Sequence, residues 1–377
     1  MWLDVAGAAS VSVAPEAGPA IARGIERAFA PYPPQVEPAS RIGVLIRPVS
    51  GVPMFRDIEN AAGDGLVTAY DGERAFVLRG RHACVVPDSL RESPAIFEFT
   101  AGFPVLGLVR SYIRPAVALA ALRNDAVVVH ASAVSINGRA ILVGGWSESG
   151  KTEIALALAE AGAEFISDKW TIVRADGTVC PFPASVGVRR WVLPYLPRLR
   201  AKLPRLARAQ IVGATAVSFA SRPIRRSSGN AFLREAGVLS TKLVAMADRV
   251  ALSVDQVRAA YGAAGDVKTP VPLALVVLLS TVAPGKLPEF VPVDPGTVAA
   301  RLAKAAAFER RAYFSVTERV RYGGASQDRT DGPVVTGLET NLLRARLAAI
   351  GLLEVRTPFP ADPRRVVEPI FRGLEGR

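Results

Sequence analysis

The apolar run Ile141-Leu142-Val143 leads into Gly145-Trp146-Ser147-Glu148-Ser149-Gly150-Lys151-Thr152. Two glycines, a lysine and a threonine at these offsets, after a strand and before a helix, have the spacing of a phosphate-binding P-loop. Gly145 and Gly150 allow a tight turn that points backbone N–H groups at phosphate oxygens. Lys151 brings a compact positive charge to the β- and γ-phosphates, and Thr152 offers a hydroxyl to Mg²⁺. Residues 153–161 have helix-forming composition, so a helix N-terminus adds its positive field. The loop 145–152, with Trp146, Ser147, Glu148 and Ser149, is therefore the expected nucleotide-binding element. ATP and Mg²⁺ are its expected ligands.

A second chemical group follows. The apolar stretch 163–167 ends at Asp168, 17 residues beyond Lys151. One helix and one strand fit in that interval. Asp168 is thus expected at the carboxyl end of the strand beside the P-loop, near the γ-phosphate, where a carboxylate holds Mg²⁺ or polarises the attacking group. Alone, a strand-end Asp is as readily a turn former; the P-loop tips the balance towards chemistry. The two histidines, His82 and His130, and the two cysteines, Cys84 and Cys180, have no zinc-site spacing and no CxxC.

Other elements must position these groups. Residues 1–103 alternate short β-like runs with turn signals, the clearest of them RIGVLIRPVSG, GLVTAYDGERAFVLRG and FEFTAG, with a helix near 17–30. Helix is expected over 104–122 and a strand over 126–130. Asn137-Gly138 is a two-residue hairpin signal, and Asp176-Gly177 marks another hairpin. Helix is expected near 254–263, 297–322, 335–350 and 362–374. A central strand is expected at 272–280 and a further strand at 352–357. The division is a β-rich N-terminal domain, 1–103, and a P-loop domain, 104–377.

Half of the 377 residues are apolar, which suits a globular protein with a sizeable core. The first residues carry Asp4 and no basic run, and the apolar stretch 271–283 is too short to span a bilayer. With only two scattered cysteines, a reduced, cytoplasmic setting is expected. The net charge is +12, and between Arg189 and Arg234 stand eleven Lys/Arg and no acid. Such a block suits a solvated face or a dock for an acidic ligand. Leu196, Leu199, Leu203 and Leu206 fall at helical spacing within it, but Pro197 and Pro204 interrupt the pattern and weaken a peripheral-membrane reading. Sparse aromatics weaken a nucleic-acid one.

The stretch VVVHASAVSINGRAILVGGWSESGKTEIALALAEAGAEFISDKWTIV resembles the core of the HPr kinase/phosphorylase family and its related serine kinases. The likeness is tight over 126–174 and thinner towards the C-terminus; the N-terminal hundred residues do not resemble the regulatory domain of the bifunctional enzymes. It implies an α/β P-loop kinase domain of the HPr kinase C-terminal type, preceded by a small β-rich domain. It also implies ATP-dependent phosphorylation of a hydroxyl, serine above all, on a protein, peptide or small molecule. By position, Lys151 would hold the β- and γ-phosphates, Thr152 the Mg²⁺, and Asp168 would be the general base, with His130 beside it. The relatives' habit of assembling implies a homo-oligomer. Two positions depart from the family pattern. Lys169 stands where the family has a second Asp, and Glu148 where it has glycine. Those exchanges leave a rival expectation: an ATP-binding switch or scaffold with blunted catalysis.

Overall fold

The computed structural model describes residues 1–35, 42–50, 57–60, 67–70, 74–205, 207–209, 249–263, 266–322 and 330–375. Part of the basic run, including Leu206, Arg222, Arg225, Arg226 and Arg234, lies outside the described residues.

The first hundred residues build a nine-stranded sheet. Its strands are β1 (Trp2–Val5), β2 (Ala9–Val13), β3 (Pro34–Gln35), β4 (Ile42–Val49), β5 (Asp57–Asn60), β6 (Val67–Tyr70), β7 (Ala75–Arg79), β8 (His82–Val86) and β9 (Ala95–Thr100). They run in the order β3-β1-β2-β4-β9-β8-β7-β6-β5. Helix α1 (Pro19–Ala28) packs beside it through Ile25.

A second sheet carries the P-loop. It contains β10 (Val127–Val129), β11 (Ala131–Ile136), β12 (Arg139–Gly145), β13 (Glu164–Ser167), β14 (Thr171–Val173) and β15 (Thr178–Pro181). A two-stranded ribbon of β16 (Val186–Arg189) and β17 (Arg249–Leu252) stands beside it. β18 (Val271–Val282), β19 (Glu289–Pro292) and β20 (Gly351–Pro358) complete the sheet, whose main order is β10-β14-β15-β18-β12-β11-β13. β12, β18 and β20 are parallel neighbours, so the long apolar run of β18 is buried between them as parallel strands require.

Helix α2 (Arg114–Leu122) lies between the two sheets, and all its residues from Pro115 to Leu122 are buried. Its apolar partners in one continuous core include Val11, Val44, Phe97, Val127 and Val128. The run Val105–Leu122 is long and apolar enough to cross a membrane by length and composition, and most of it is buried within the fold. Regular α-helix does not extend over all of it: Val105–Leu108 is 3₁₀ and Val109–Ile113 is a π-helical turn. Pro115 has no N–H to give to a preceding carbonyl, so an undisturbed α ladder cannot run through this point.

Two further expectations change. The helix expected over 297–322 is two helices, Pro295–Glu309 and Arg311–Tyr322, broken at Arg310. The Arg310 side chain turns inward, fully buried, to pair with Glu339 of helix Gly332–Leu347. Pro197 does not interrupt a helix but opens one, Pro197–Lys202, at the position where a missing N–H costs nothing. Leu196, Leu199 and Leu203 are buried in the core beneath α3 (Lys151–Glu160), so the apolar face of that basic segment packs inward.

Candidate functional site

The sheet topology explains how Thr152 and Asp168 meet. Asn137 and Gly138 both adopt positive φ, as a tight two-residue hairpin turn requires, and β11 folds back antiparallel on β12. β13 then pairs antiparallel with β11. β11 therefore stands between the P-loop strand and the strand leading to Asp168, which corrects the expectation that those two strands are neighbours. Two successive reversals leave β12 and β13 pointing the same way, so both end at the same edge. Ser132, opposite Val143 at the start of β11, is carried to that edge as well.

There the contacts converge on one carboxylate. Thr152 Oγ1 and Ser132 Oγ each donate to Asp168 Oδ1 at 2.7 Å. The Gly187 N–H donates to Oδ2 at 3.3 Å. Asp168 is only 1% exposed, and these donors satisfy it. Lys151 is also buried and donates to the carbonyls of Gly145 (2.9 Å) and Trp146. Burial lowers its pKa to about 8 against the opposing pull of Asp168, Glu309 and Glu153.

Gly150 takes φ +95° at the cap of α3. A Cβ on Gly145 would come within 2.5 Å of Ser149 Oγ and 3.1 Å of the Leu279 carbonyl. Glu148 and Lys169 both sit in left-handed backbone, at φ +64° and φ +63°. Each costs on the order of 1 kcal/mol for a residue with a Cβ. Glu148 turns outward and pairs with Arg189 Nη2 at 2.9 Å, while Arg189 Nε lies 3.6 Å from Glu153.

His130 is buried beside this centre, its ring edge-on to Trp170 at 5.4 Å between centroids. Burial, then the charges of Lys151 and Lys169, lower its pKa to about 3. Glu309 Oε1 stands 3.8 Å from Nε2, beyond hydrogen-bond reach, and does not offset those effects. The imidazole is neutral at pH 7, and its Nδ1 has no protein partner. Ser149 Oγ is likewise buried without a partner.

A cleft of about 430 Å³ opens over these groups. Ser147, Glu148, Ser149, Gly150, Lys151 and Thr152 line one side, with His130, Asp168 and Lys169 also on its wall. Trp146 is not part of the wall; it is 52% exposed and packs on Phe308 at 4.8 Å between ring centroids. The cleft wall thus gathers every expected site residue except Trp146 and Gly145, and the Gly145 carbonyl still holds Lys151. The site adds Ser132, Gly187, Glu309, Arg110, Arg114 and Arg249, which sequence reasoning did not select, and Arg189, which it placed only in the basic run. Ser132 alone had a usable signal, because the Asn137-Gly138 turn fixes a register that sets it opposite Val143.

The donor set fits a triphosphate and a hard cation. The loop offers an N-terminal helix turn, a lysine held only by its own loop carbonyls, and an orphaned buried hydroxyl on Ser149. Thr152 and Asp168 are placed to offer oxygens to Mg²⁺, an ion that takes one or two protein ligands and completes its shell with phosphate and water. No cluster of three or more His, Cys, Asp or Glu suited to a metal exists among the described residues. No protein-family model matches the chain, and no curated protein is significantly similar to it.

Proposed function

We propose that this chain is an ATP-dependent kinase of the P-loop type that transfers the γ-phosphate to a hydroxyl, serine foremost, of a protein, peptide or small molecule. The observation that carries this reading is the 2.7 Å contact between Thr152 Oγ1 and the buried Asp168, beside a buried Lys151, at the mouth of one cleft. The resemblance of residues 126–174 to HPr kinases points the same way.

In this reading Lys151 exchanges its two loop carbonyls for phosphate oxygens, and the amide groups at the start of α3 cradle the phosphates. Mg²⁺ held by Thr152 and Asp168 would offset the negative charge of the phosphates. Asp168 Oδ2 has a single backbone partner and therefore a lone pair to spare for the acceptor's hydroxyl proton. The acceptor oxygen forms a bond to the γ-phosphorus, the bond to the bridging oxygen breaks, and that electron pair leaves on ADP. Ser132 and Gly187 hold the carboxylate for this work, and neutral His130 adds no positive charge against Lys151. Positioning and charge stabilisation supply most of the rate.

Lys169 supports a second reading, a nucleotide-binding switch with blunted catalysis, because a cation stands next to the base. The test is transfer from γ-labelled Mg·ATP to free serine, serine peptides and a lysate of the source cell, with calorimetry of Mg·ATP binding alongside. The kinase reading expects label on an acceptor with wild type and none with Lys151→Ala or Asp168→Asn. Binding without transfer or release favours the switch, and no binding removes both readings.

A further inference from the structure

The cleft has a second charged wall that the triphosphate reading does not use. Arg110 and Arg114 come from the π-helical turn and the start of α2, Lys169 from the bend after β13, and Arg249 from β17. All four line the same cavity as the P-loop. Among the described residues, Arg110, Arg114 and Lys169 form no ion pair with a carboxylate. Arg114 donates from Nη2 to the Ala28 carbonyl at 2.7 Å, but its buried Nε has no partner. These cations also sense one another. Burial lowers the Lys169 pKa most, Asp168 opposes it, and Arg110, Arg249 and Arg114 each push it down further; Arg110 likewise acts on the buried Arg114.

His130 lines the same cleft and feels the charges of both Lys151 and Lys169. The cleft adjoins another cavity of about 210 Å³, which shares Arg114, Ala184 and Ser185 and is also lined by Arg27. Asp168 offsets part of the charge on Lys169, but Arg110 and Arg114 face the cavity with no carboxylate paired to them, and such cations repel each other until an anion enters. Arginine forks suit an oxyanion in particular.

We propose that Arg110, Arg114 and Lys169 form an oxyanion seat for the acceptor, so that the hydroxyl compound phosphorylated at Asp168 carries its own carboxylate or phosphate. This rests on the kinase reading for the word acceptor, but the seat itself does not depend on it. The anion comes either from a small hydroxy acid or from an acidic residue beside the serine of a peptide. Lys169 has a positive use here: in place of a second carboxylate, it brings the acceptor's charge towards the base.

The test uses the full-length protein with its P-loop filled by Mg·AMPPNP, titrated calorimetrically with inorganic phosphate. Wild type is expected to bind one phosphate. Arg110→Ala and Lys169→Met should each weaken that binding by about tenfold or more, while Mg·AMPPNP affinity changes by less than about threefold. Arg110 is exposed, so its variant keeps the test alive if an Arg114 variant fails to fold. Unchanged phosphate affinity in both variants overturns the seat, as does an equal loss of Mg·AMPPNP, which would assign these cations to the nucleotide. If wild type binds no Mg·AMPPNP, the kinase reading falls; phosphate titrated into Lys151→Ala then reads the seat alone, with the same variants made in that background. Paired acceptors identify the source. N-acetylserine is compared with its amide, and a serine peptide flanked by Asp with one flanked by Ala. A lower KM for the anionic member, lost in Arg110→Ala, names the source, and equal KM values in both pairs contradict the proposal.

Discussion

Replacing His130 with Gln should make the protein less sensitive to acid. In the folded chain the imidazole pKa is lowered to about 3, by burial first and then by Lys151 and Lys169. In the unfolded chain it returns to about 6.5. Between those values the unfolded state binds a proton that the folded state refuses, so stability falls as pH drops below about 6.5 and goes on falling towards 3. At pH 5 the unfolded imidazole is almost fully protonated and the folded one almost not at all, a difference of about 1.5 pH units or roughly 2 kcal/mol. At pH 7.5 the same contribution is close to zero. With an unfolding entropy near 2.1 cal/mol/K per residue, 377 residues give roughly 0.8 kcal/mol/K, so the effect is about 2–3 °C in Tm. Thermal unfolding of wild type and His130→Gln at pH 7.5 and 5 reads it. The wild-type Tm should fall by that much more than the variant's. Parallel falls in the two proteins would refute a buried, neutral His130.

Three other perturbations probe separate features. Arg310 and Glu339 form an ion pair with both side chains fully buried, and burial raises the Glu339 pKa. Arg310→Met alone should cost about 3–5 kcal/mol in urea unfolding, while Arg310→Met with Glu339→Leu should recover most of that; equal losses in the single and double variants would contradict the pair. Glu148→Gly removes a left-handed glutamate and its charge from the phosphate loop and leaves Arg189 with Glu153 alone, so Mg·AMPPNP should bind about threefold tighter or better. Weaker binding by calorimetry would mean that Glu148 helps to hold the ligand. Gly145→Ala drives a Cβ against the Leu279 carbonyl and Ser149, and should cost about 1–3 kcal/mol of stability as well as nucleotide affinity, against little change if the loop can yield.

What was legible in the sequence follows the range of the interactions. The P-loop, the Asn137-Gly138 turn and Asp168 are local patterns, and they lie within a continuous stretch of chain. Ser132 is a middle case: the hairpin register puts it opposite Val143, but nothing in the sequence says that β13 pairs with β11 rather than β12. Gly187, Arg110, Arg114 and Arg249 reach the cleft only through tertiary packing, from a helix wedged between two sheets and from a separate ribbon. The leucines at 196, 199 and 203 show the converse. Their helical spacing was visible, but only the packed fold says that this apolar face covers the core beneath α3. Arg310 likewise reads as one more surface charge on a helix until Glu339, far along the chain, gives it a buried partner.

The most direct measurement is a single turnover of γ-labelled Mg·ATP with an anionic serine acceptor, comparing wild type with Asp168→Asn. The variant keeps the shape of the site but loses the base. The account predicts label on the acceptor hydroxyl with wild type. It predicts a fall of about 10²–10⁴-fold in the variant's transfer rate measured with the enzyme saturated by Mg·ATP, beyond any loss of affinity from the changed Mg²⁺ ligand. Transfer by Asp168→Asn at the wild-type rate would contradict the account, as would a wild-type protein that binds Mg·ATP and never passes on its phosphate.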